Sequence, residues 1–264
     1  MKDYTTLQVD IQKLTATVWL NRPEVQNAVN TDMLQELTEV FRHLNDDETI
    51  RTIILRGKGK SFCAGADLKG MLAKNNSGYE ENFREGKLWT ECLRQLYHLS
   101  KPLIAVVQGN VFGGGNGLVA AADIVLAEAG TVFSFSEVKI GLAPSTILPY
   151  VLTRVNEHKA ALLMFTGKKF KTDEALTYNL VDLVAGSEEL ESTLENLLND
   201  INSGSPGGIK EVKHILRRTG NGLSQEQMDQ ITADSIARLK ISDEAFEGIS
   251  AFLEKRPPEW NKNQ

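Results

Sequence analysis

The chain of 264 residues has the length of one large domain, or of one domain with a small appendage. Its composition, 41% hydrophobic and 24% charged, is typical of a globular protein, and its net charge of −6 argues against nucleic acid or an anionic membrane surface as the main partner. Two cysteines, Cys63 and Cys92, are too few for a disulfide framework or a zinc site. The sequence has no apolar signal-peptide core and no stretch as long as a membrane span, so we expect a cytoplasmic protein without membrane or metal partners.

The first half of the chain alternates predicted strands with predicted helices. The strands are short apolar runs at 7–11, 15–20, 52–55, 103–107, 124–127 and 132–135. One helix follows Asn30 or Thr31, either of which can cap it, and a longer one runs from about 79 to 99. The polar residues 74–78 before the longer helix are expected to be mobile. This alternation predicts an α/β fold with largely parallel sheets.

A run of three glycines, Gly113 to Gly115, lies between the apolar strand at 103–107 and a helix-compatible segment at 118–122. Glycine lets the backbone approach a ligand closely, and the first N–H groups of a helix have no partner within that helix. The run can therefore bind an oxyanion through backbone amides. A tight strand-to-helix turn with close packing would produce the same glycines.

Beyond Pro144 the sequence predicts mainly helices, over 145–155, 157–165, 172–178 and 188–201, and only helices from 209 to 254. Residues 203–208 are rich in glycine, serine and proline, which mark a boundary. We therefore assign residues 1–202 to a core that carries the functional site and residues 203–264 to a C-terminal helical region.

A second segment, Ala64 to Asp67, leads from a short predicted strand into a helix, and its small residues leave its amides open. Two N–H groups that meet from separate loops form an oxyanion hole, in which each donor contributes roughly 3–4 kcal/mol in acyl transfer. Either loop alone is weak evidence for an oxyanion hole, whereas the two loops together are moderately specific for one.

Motifs in the same order along nearly the whole chain resemble those of the crotonase (enoyl-CoA hydratase/isomerase) superfamily. They are 20–23 with 27–28, 62–68, 101–109, 113–115, 122–124, 133–137 with 141–144, and 247–248 with 251–256. The resemblance implies a spiral of ββα repeats followed by a helical trimerisation region. It also implies an acyl-CoA thioester as substrate, a homotrimer or dimer of trimers, and no cofactor, because coenzyme A is part of the substrate.

The resemblance further assigns roles to individual residues. The N–H groups of Ala66 and Gly114 would hold the thioester oxygen and thus stabilise an enolate. The residues predicted to bind the coenzyme A part or the thioester are Val25, Ala28, Ala64, Ala66, Asp67, Leu68, Gly114, Phe252 and Lys255. Of these, Phe252 and Lys255 would close over the ligand, either from the same chain or from a neighbouring subunit.

Glu137 is the candidate acid/base. It follows the predicted strand at 132–135 and precedes Gly141 and Pro144, so it can enter a pocket from a loop. An apolar acyl site would raise the pKa of its carboxyl group toward neutrality, which suits proton transfer. The alternative is an ordinary loop glutamate, and the resemblance favours the catalytic interpretation.

Gly117 departs from the pattern of the well-studied hydratases, which carry a second glutamate three residues beyond the middle glycine. Segment 115–124 and, within 133–150, segments 133–144 and 147–150 resemble the bacterial methylglutaconyl-CoA hydratases of leucine breakdown, which act on a substrate branched at C3. We expect Gly117 to leave room for that branch. The predicted reaction interconverts 3-methylglutaconyl-CoA and 3-hydroxy-3-methylglutaryl-CoA. The alternatives are a Δ3,Δ2-enoyl-CoA isomerase, a general enoyl-CoA hydratase, a dehydratase acting on an acyl-carrier protein, and a non-catalytic RNA-binding homologue, which the net charge disfavours.

Other polar residues are weaker candidates. Cys63 has no neighbour in sequence that would lower the pKa of its thiol, and Asp67 and Asp123 are expected to hold loops rather than to react. Lys139 and Arg84 are candidates for binding the distal carboxylate of the substrate. Lys58 and Lys60 are candidates for binding the coenzyme A phosphates. The four histidines, all on predicted helices, are interpreted as structural or surface residues: His43, His98, His158 and His214.

Overall fold

In the described part of the chain, residues 3–73, 78–219 and 222–261 of this computed structural model, nine strands form a six-stranded and a three-stranded sheet. The strands are β1 Leu7–Gln12, β2 Thr15–Leu20, β3 Thr52–Gly57, β4 Leu103–Val107, β5 Asn110–Phe112, β6 Ile124–Glu128, β7 Val132–Ser134, β8 Phe170–Lys171 and β9 Leu183–Ala185. The larger sheet has the order β1-β2-β3-β4-β6-β9 and the smaller one the order β5-β7-β8. Every pair is parallel except β1 with β2 and β7 with β8. The predicted α/β class with largely parallel sheets is confirmed.

Helices follow most of the strands and cover the sheets. They are α1 Thr31–Asp46, α2 Leu68–Ala73, α3 Tyr79–Tyr97, α4 Gly114–Ala121, α5 Leu148–Val151, α6 Glu157–Thr166, α7 Thr172–Thr177, α8 Leu190–Ser203, α9 Pro206–Thr219, α10 Gln225–Lys240 and α11 Asp243–Leu253. The side chain of Asn30 accepts a hydrogen bond from the N–H of Met33 at 3.0 Å, so the predicted cap is present. All five residues of β4 are buried, as expected for a central parallel strand covered on both faces.

Two predictions for the second half of the core are wrong. The predicted helix over 145–155 is helical only in α5, because Pro149 lacks an N–H and fits only the first turn of a helix. The prediction of mainly helices beyond Pro144 also missed β8 and β9, which lie between the predicted helices. Strands of two and three residues are too short to show a period of two in the sequence.

The C-terminal helices begin where the sequence changes to helix breakers, since α8 ends at Ser203 and α9 begins at Pro206. Helix α9 is fixed to the core by Asp123, which lies just before β6. Its carboxylate accepts hydrogen bonds from Lys213 and Arg217, both at 2.6 Å, and from the N–H of Leu103 at 2.8 Å. The expectation that Asp123 holds structure is confirmed, whereas the division into 1–202 and 203–264 stays a prediction.

Within the described ranges no helix is both long and apolar enough to cross a membrane. The polar segment predicted to be mobile lies, apart from Gly78, outside the residues that the structure describes.

Candidate active site

The two predicted amide loops lie side by side. Cys63 and Val111 form an isolated parallel bridge, in which the N–H of Phe112 donates to the carbonyl oxygen of Cys63 at 2.9 Å. Gly65 has a φ of +96°, and a Cβ atom there would stand 3.0 Å from the carbonyl oxygen of Phe112. Glycine at position 65 therefore allows the two loops to approach each other.

The N–H groups of Ala66 and Gly114 donate no hydrogen bond to any other described residue. Gly114 is the first residue of α4, where backbone N–H groups lack helical partners and the helix dipole is positive. Around Ala66 the loop is held by Val29, whose N–H donates to Gly65 at 2.8 Å and whose carbonyl oxygen accepts from Asp67 at 2.9 Å. These contacts leave the two N–H groups available for an oxyanion.

A cavity of about 160 Å³ opens beside these amides. It is lined mainly by apolar and small residues, together with the hydroxyls of Ser136 and Thr146 and the carboxyl group of Glu137. Among the described lining residues, Glu137 is the only one that titrates. Glu137 is therefore the candidate for proton transfer in this cavity.

Larger grooves exist elsewhere on the surface, but none of those described is lined by the two amide loops. One of them, about 900 Å³, is lined by Arg51, Thr52 and Pro102 at the amino ends of β3 and β4, with mixed charges around it. Ligands of parallel α/β sheets bind beyond the carboxyl ends of the strands. We therefore place the active site in the smaller cavity, where the open amides are.

Glu137 reaches the cavity from a 3₁₀ helix, Glu137–Ile140, that follows β7 and ends at Gly141 with a φ of +79°. A Cβ atom at Gly113 would stand 3.3 Å from Oε1 of Glu137, so the carboxyl group lies against the oxyanion turn. Its Oε2 is buried and has no hydrogen-bond partner among the described residues. Burial raises the pKa of Glu137 above its ordinary value, because the ionised form loses solvation, and the predicted direction of this shift is confirmed.

Gly117 does not leave the expected room for a branched substrate, and that prediction is wrong. A Cβ atom at Gly117 would stand 2.3 Å from Cγ2 of Ile147 and 3.5 Å from Cδ1 of Leu93. Ile147 itself lines the cavity. The position of the second acid in two-acid hydratases is thus filled by an apolar side chain from the segment before α5.

Trp89 closes the cavity on the side of α3. A Cβ atom at Gly114 would stand only 2.4 Å from Cη2 of Trp89, so the indole ring packs directly on the oxyanion turn. Sequence patterns did not identify four of the lining residues, because each lies in a segment whose pattern indicates only secondary structure. They are Trp89, Ser136, Thr146 and Ile147.

The remaining predicted site residues divide into two groups. Those that line the cavity are Ala64, Ala66, Leu68, Gly114 and Glu137, and those that do not are Val25, Ala28, Asp67, Phe252 and Lys255. Asp67 pairs with Arg22 at 3.0 Å and accepts from the N–H of Gly70 at 3.1 Å. These contacts hold the loop and lower the pKa of Asp67. Phe252 is 83% exposed at the end of α11, and the role of Phe252 and Lys255 in binding coenzyme A stays a prediction.

None of the weaker candidates lines the cavity beside the amides. Cys63 is fully buried, and burial raises the pKa of its thiol to about 12, so it cannot serve as a nucleophile near neutral pH. Neither Lys139 nor Arg84 lines the cavity, and Lys58 lies over the ring of Trp19 at 4.1 Å. The four histidines are exposed.

Comparisons with known proteins identify the family of the chain. A family model described as enoyl-CoA hydratase/isomerase matches residues 10–263. A short-chain-enoyl-CoA hydratase of Clostridium acetobutylicum is 33% identical over 251 residues, which are 94% of this chain and 95% of that protein. A carnitinyl-CoA dehydratase of Proteus mirabilis is 32% identical over 252 residues, 91% of this chain and 92% of that protein.

Solved structures confirm the crotonase-like fold. An enoyl-CoA hydratase from Shewanella pealeana superposes with a TM-score of 0.93 at 31% identity, over 97% of this chain and 96% of that one. Since these matches span nearly the whole chain, the protein belongs to the enoyl-CoA hydratase/isomerase family of the crotonase superfamily and is an enoyl-CoA hydratase-type enzyme that acts on an acyl-CoA thioester.

Proposed function

We propose that the enzyme interconverts 3-methylglutaconyl-CoA and 3-hydroxy-3-methylglutaryl-CoA. The observation that carries the proposal is a single buried carboxyl group, Glu137, beside two open backbone N–H groups, with Ile147 where a second acid would lie. The resemblance of segments 115–124 and 133–150 to methylglutaconyl-CoA hydratases supports the choice of substrate.

In the dehydration direction, the N–H groups of Ala66 and Gly114, which donate to no other described residue, can donate to the thioester oxygen. Glu137 takes a proton from C2, and the electrons pass into the carbonyl to give an enolate. Each donor stabilises that charge by roughly 3–4 kcal/mol. The enolate then expels the hydroxyl group from C3, which leaves as water with the proton from Glu137. One carboxyl group on one face of the substrate makes the elimination syn.

A single acid can serve both steps. The proton that Glu137 takes from C2 is the proton that it returns to the departing hydroxyl group, so the cycle leaves its carboxylate ionised and needs no second acid. The hydroxyls of Ser136 and Thr146 line the cavity and form no hydrogen bond with other described residues. They are available for the departing water or for the distal carboxylate of the substrate.

The direct test is to incubate the protein with 3-hydroxy-3-methylglutaryl-CoA and follow the absorbance of the enoyl thioester. We expect absorbance to rise with wild type, and no product with this substrate would contradict the proposed specificity. Crotonyl-CoA serves as the comparison for a general hydratase.

Because one acid also suffices for a Δ3,Δ2-enoyl-CoA isomerase, product analysis with a 3-enoyl-CoA separates the two activities. The same acyl group on an acyl-carrier protein tests the carrier.

We also propose a homotrimer or dimer of trimers. The C-terminal helices expose large apolar side chains that a single chain leaves in water, namely Val212, Leu216, Ile236, Phe246, Ile249, Phe252 and Leu253. Light scattering on the purified protein should give three or six times the 29.2 kDa of one chain. A mass of one chain at micromolar concentration would contradict this assembly.

A further inference from the structure

Asn116 carries a fully buried amide in the first turn of α4. Its Nδ2 lies 2.9 Å from the carbonyl oxygen of Ser134, 3.2 Å from that of Val111 and 3.4 Å from that of Gly113. A primary amide has two N–H donors, which these three acceptors share. The orientation of the amide is fixed, because a flip would place Oδ1 against three carbonyl oxygens.

The three carbonyl groups belong to the two halves of the active site. Val111 and Gly113 flank the turn that presents the N–H of Gly114, whereas Ser134 ends β7, three residues before Glu137. The N–H of Gly113 also donates to the carbonyl oxygen of Ser134 at 2.9 Å. The end of β7 and the oxyanion turn are therefore joined at one point by this backbone bond and by the amide of Asn116, beside the parallel pairing of β5 with β7.

The other end of the amide is not satisfied. Oδ1 of Asn116 and Oε2 of Glu137 are the two buried side-chain polar atoms without a partner in the described ranges. A buried acceptor without a donor costs free energy, and the donors on Nδ2, which serve three carbonyl oxygens of the two segments, offset that cost. The amide therefore joins the end of β7 to the oxyanion turn, which also fixes the geometry of the active site.

We propose that Asn116 is a positioning residue that fixes the N–H of Gly114 and the carboxyl group of Glu137 in one relative geometry. The inference rests on the proposed role of Glu137 as acid/base. Asn116 does not line the cavity, so it acts through the two backbone segments and not on the substrate.

The test compares Asn116→Ala and Asn116→Ser with Thr131→Val. Thr131 is a matched control, because it is also buried and its hydroxyl also donates to backbone carbonyls, at 2.7 Å to Glu128, but it does not line the cavity. For each variant, kcat and KM are measured with an enoyl-CoA thioester that wild type converts, together with the pH profile of kcat/KM and the urea midpoint.

We expect both Asn116 variants to lose about 10- to 100-fold in kcat, as for small misplacements of catalytic groups, with little change in KM. The acidic limb of kcat/KM should move to lower pH, because a looser junction admits water to Glu137 and reduces the effect of burial on its pKa. Thr131→Val should lower the urea midpoint but keep the kcat and the pH profile of wild type.

Two results would overturn the inference: a kcat in the Asn116 variants equal to that of Thr131→Val, or loss of the fold in both Asn116 variants, which would make the amide a requirement of folding. The proposed function is tested separately. If wild type converts crotonyl-CoA but not 3-hydroxy-3-methylglutaryl-CoA, the proposed substrate is wrong, and the comparison proceeds with crotonyl-CoA.

Discussion

Glu137→Gln should lower kcat for dehydration by about 10²–10⁴-fold, the usual contribution of a general acid or base. Glutamine retains the size of the side chain but cannot accept the C2 proton, and no other described residue that lines the cavity titrates. KM should change little, because the amides of Ala66 and Gly114 remain in place. The matched control is Glu188→Gln, an exposed glutamate before α8, which should keep full activity. Steady-state kinetics with both variants decides the point, and wild-type kcat in Glu137→Gln would remove Glu137 from the mechanism.

The pH profile gives an independent check on the same residue. Dehydration begins with ionised Glu137, so kcat/KM should fall as the pH drops through its pKa, which burial raises above the ordinary carboxyl value. That limb should lie at higher pH than for an exposed carboxyl group. The residual activity of Glu137→Gln should show no such limb. If kcat/KM of Glu137→Gln falls over the same pH range as that of wild type, the titration belongs to another group.

The same pKa shift predicts that Glu137→Gln stabilises the folded protein at neutral pH although it lowers the activity. The folded-state pKa of Glu137 is raised, so its favourable contribution is fully present below the unfolded-state pKa and is lost as the pH rises through the folded-state value. Glutamine stays neutral, so Glu137→Gln should unfold at a higher temperature than wild type at neutral pH. The difference should disappear at a pH below the ordinary carboxyl pKa. Equal melting temperatures at neutral pH would mean that ionised Glu137 is not penalised by burial.

The sequence identified the parts of the site that depend on local chain geometry. Gly65, Gly113 and Gly114 could be selected because close backbone approach and open helix N-termini favour glycine over other residues. Glu137 could be selected because it follows a strand end within a motif. The resemblance to a known family then supplied their roles, which no pattern of spacing contains.

What the sequence could not predict depends on contacts between distant segments. Gly117 and Ile147 are thirty positions apart, and only the packing of α4 against the start of α5 shows that one fills the space of the other. Asn116 stands in a helix whose pattern gives no reason to expect hydrogen bonds to β5 and β7. Short strands such as β8 also escape prediction, because the sheet and not the sequence period defines them.

Gly117→Glu, the substitution that would restore a second acid, should unfold the protein rather than improve it. Its Cβ atom would stand 2.3 Å from Cγ2 of Ile147, and overpacking of this kind costs about 1–3 kcal/mol. A carboxylate enclosed by Ile147 and Leu93 adds the cost of an uncompensated buried charge, about 3–5 kcal/mol. Together these costs approach the whole stability of a typical domain, about 5–15 kcal/mol. Urea unfolding of the variant measures the loss.

Gly86→Glu is the matched control, since Gly86 also lies within a helix but a Cβ atom there would meet nothing within 4 Å. That variant should gain about 0.5–1 kcal/mol, because glutamate is a better helix former than glycine. Equal effects at positions 86 and 117 would show that Ile147 does not fill the space beside Gly117.

A double-mutant cycle with Ile147→Ala isolates the contact itself. Gly117→Ala should cost less in the Ile147→Ala background than in wild type, with a coupling of about 0.5–3 kcal/mol as for residues in direct contact. If the coupling is present, Gly117→Glu combined with Ile147→Ala is the variant in which a second carboxyl group can enter the cavity. The single-acid site is then a property of two packed segments, because neither substitution alone provides both the acid and the space for it.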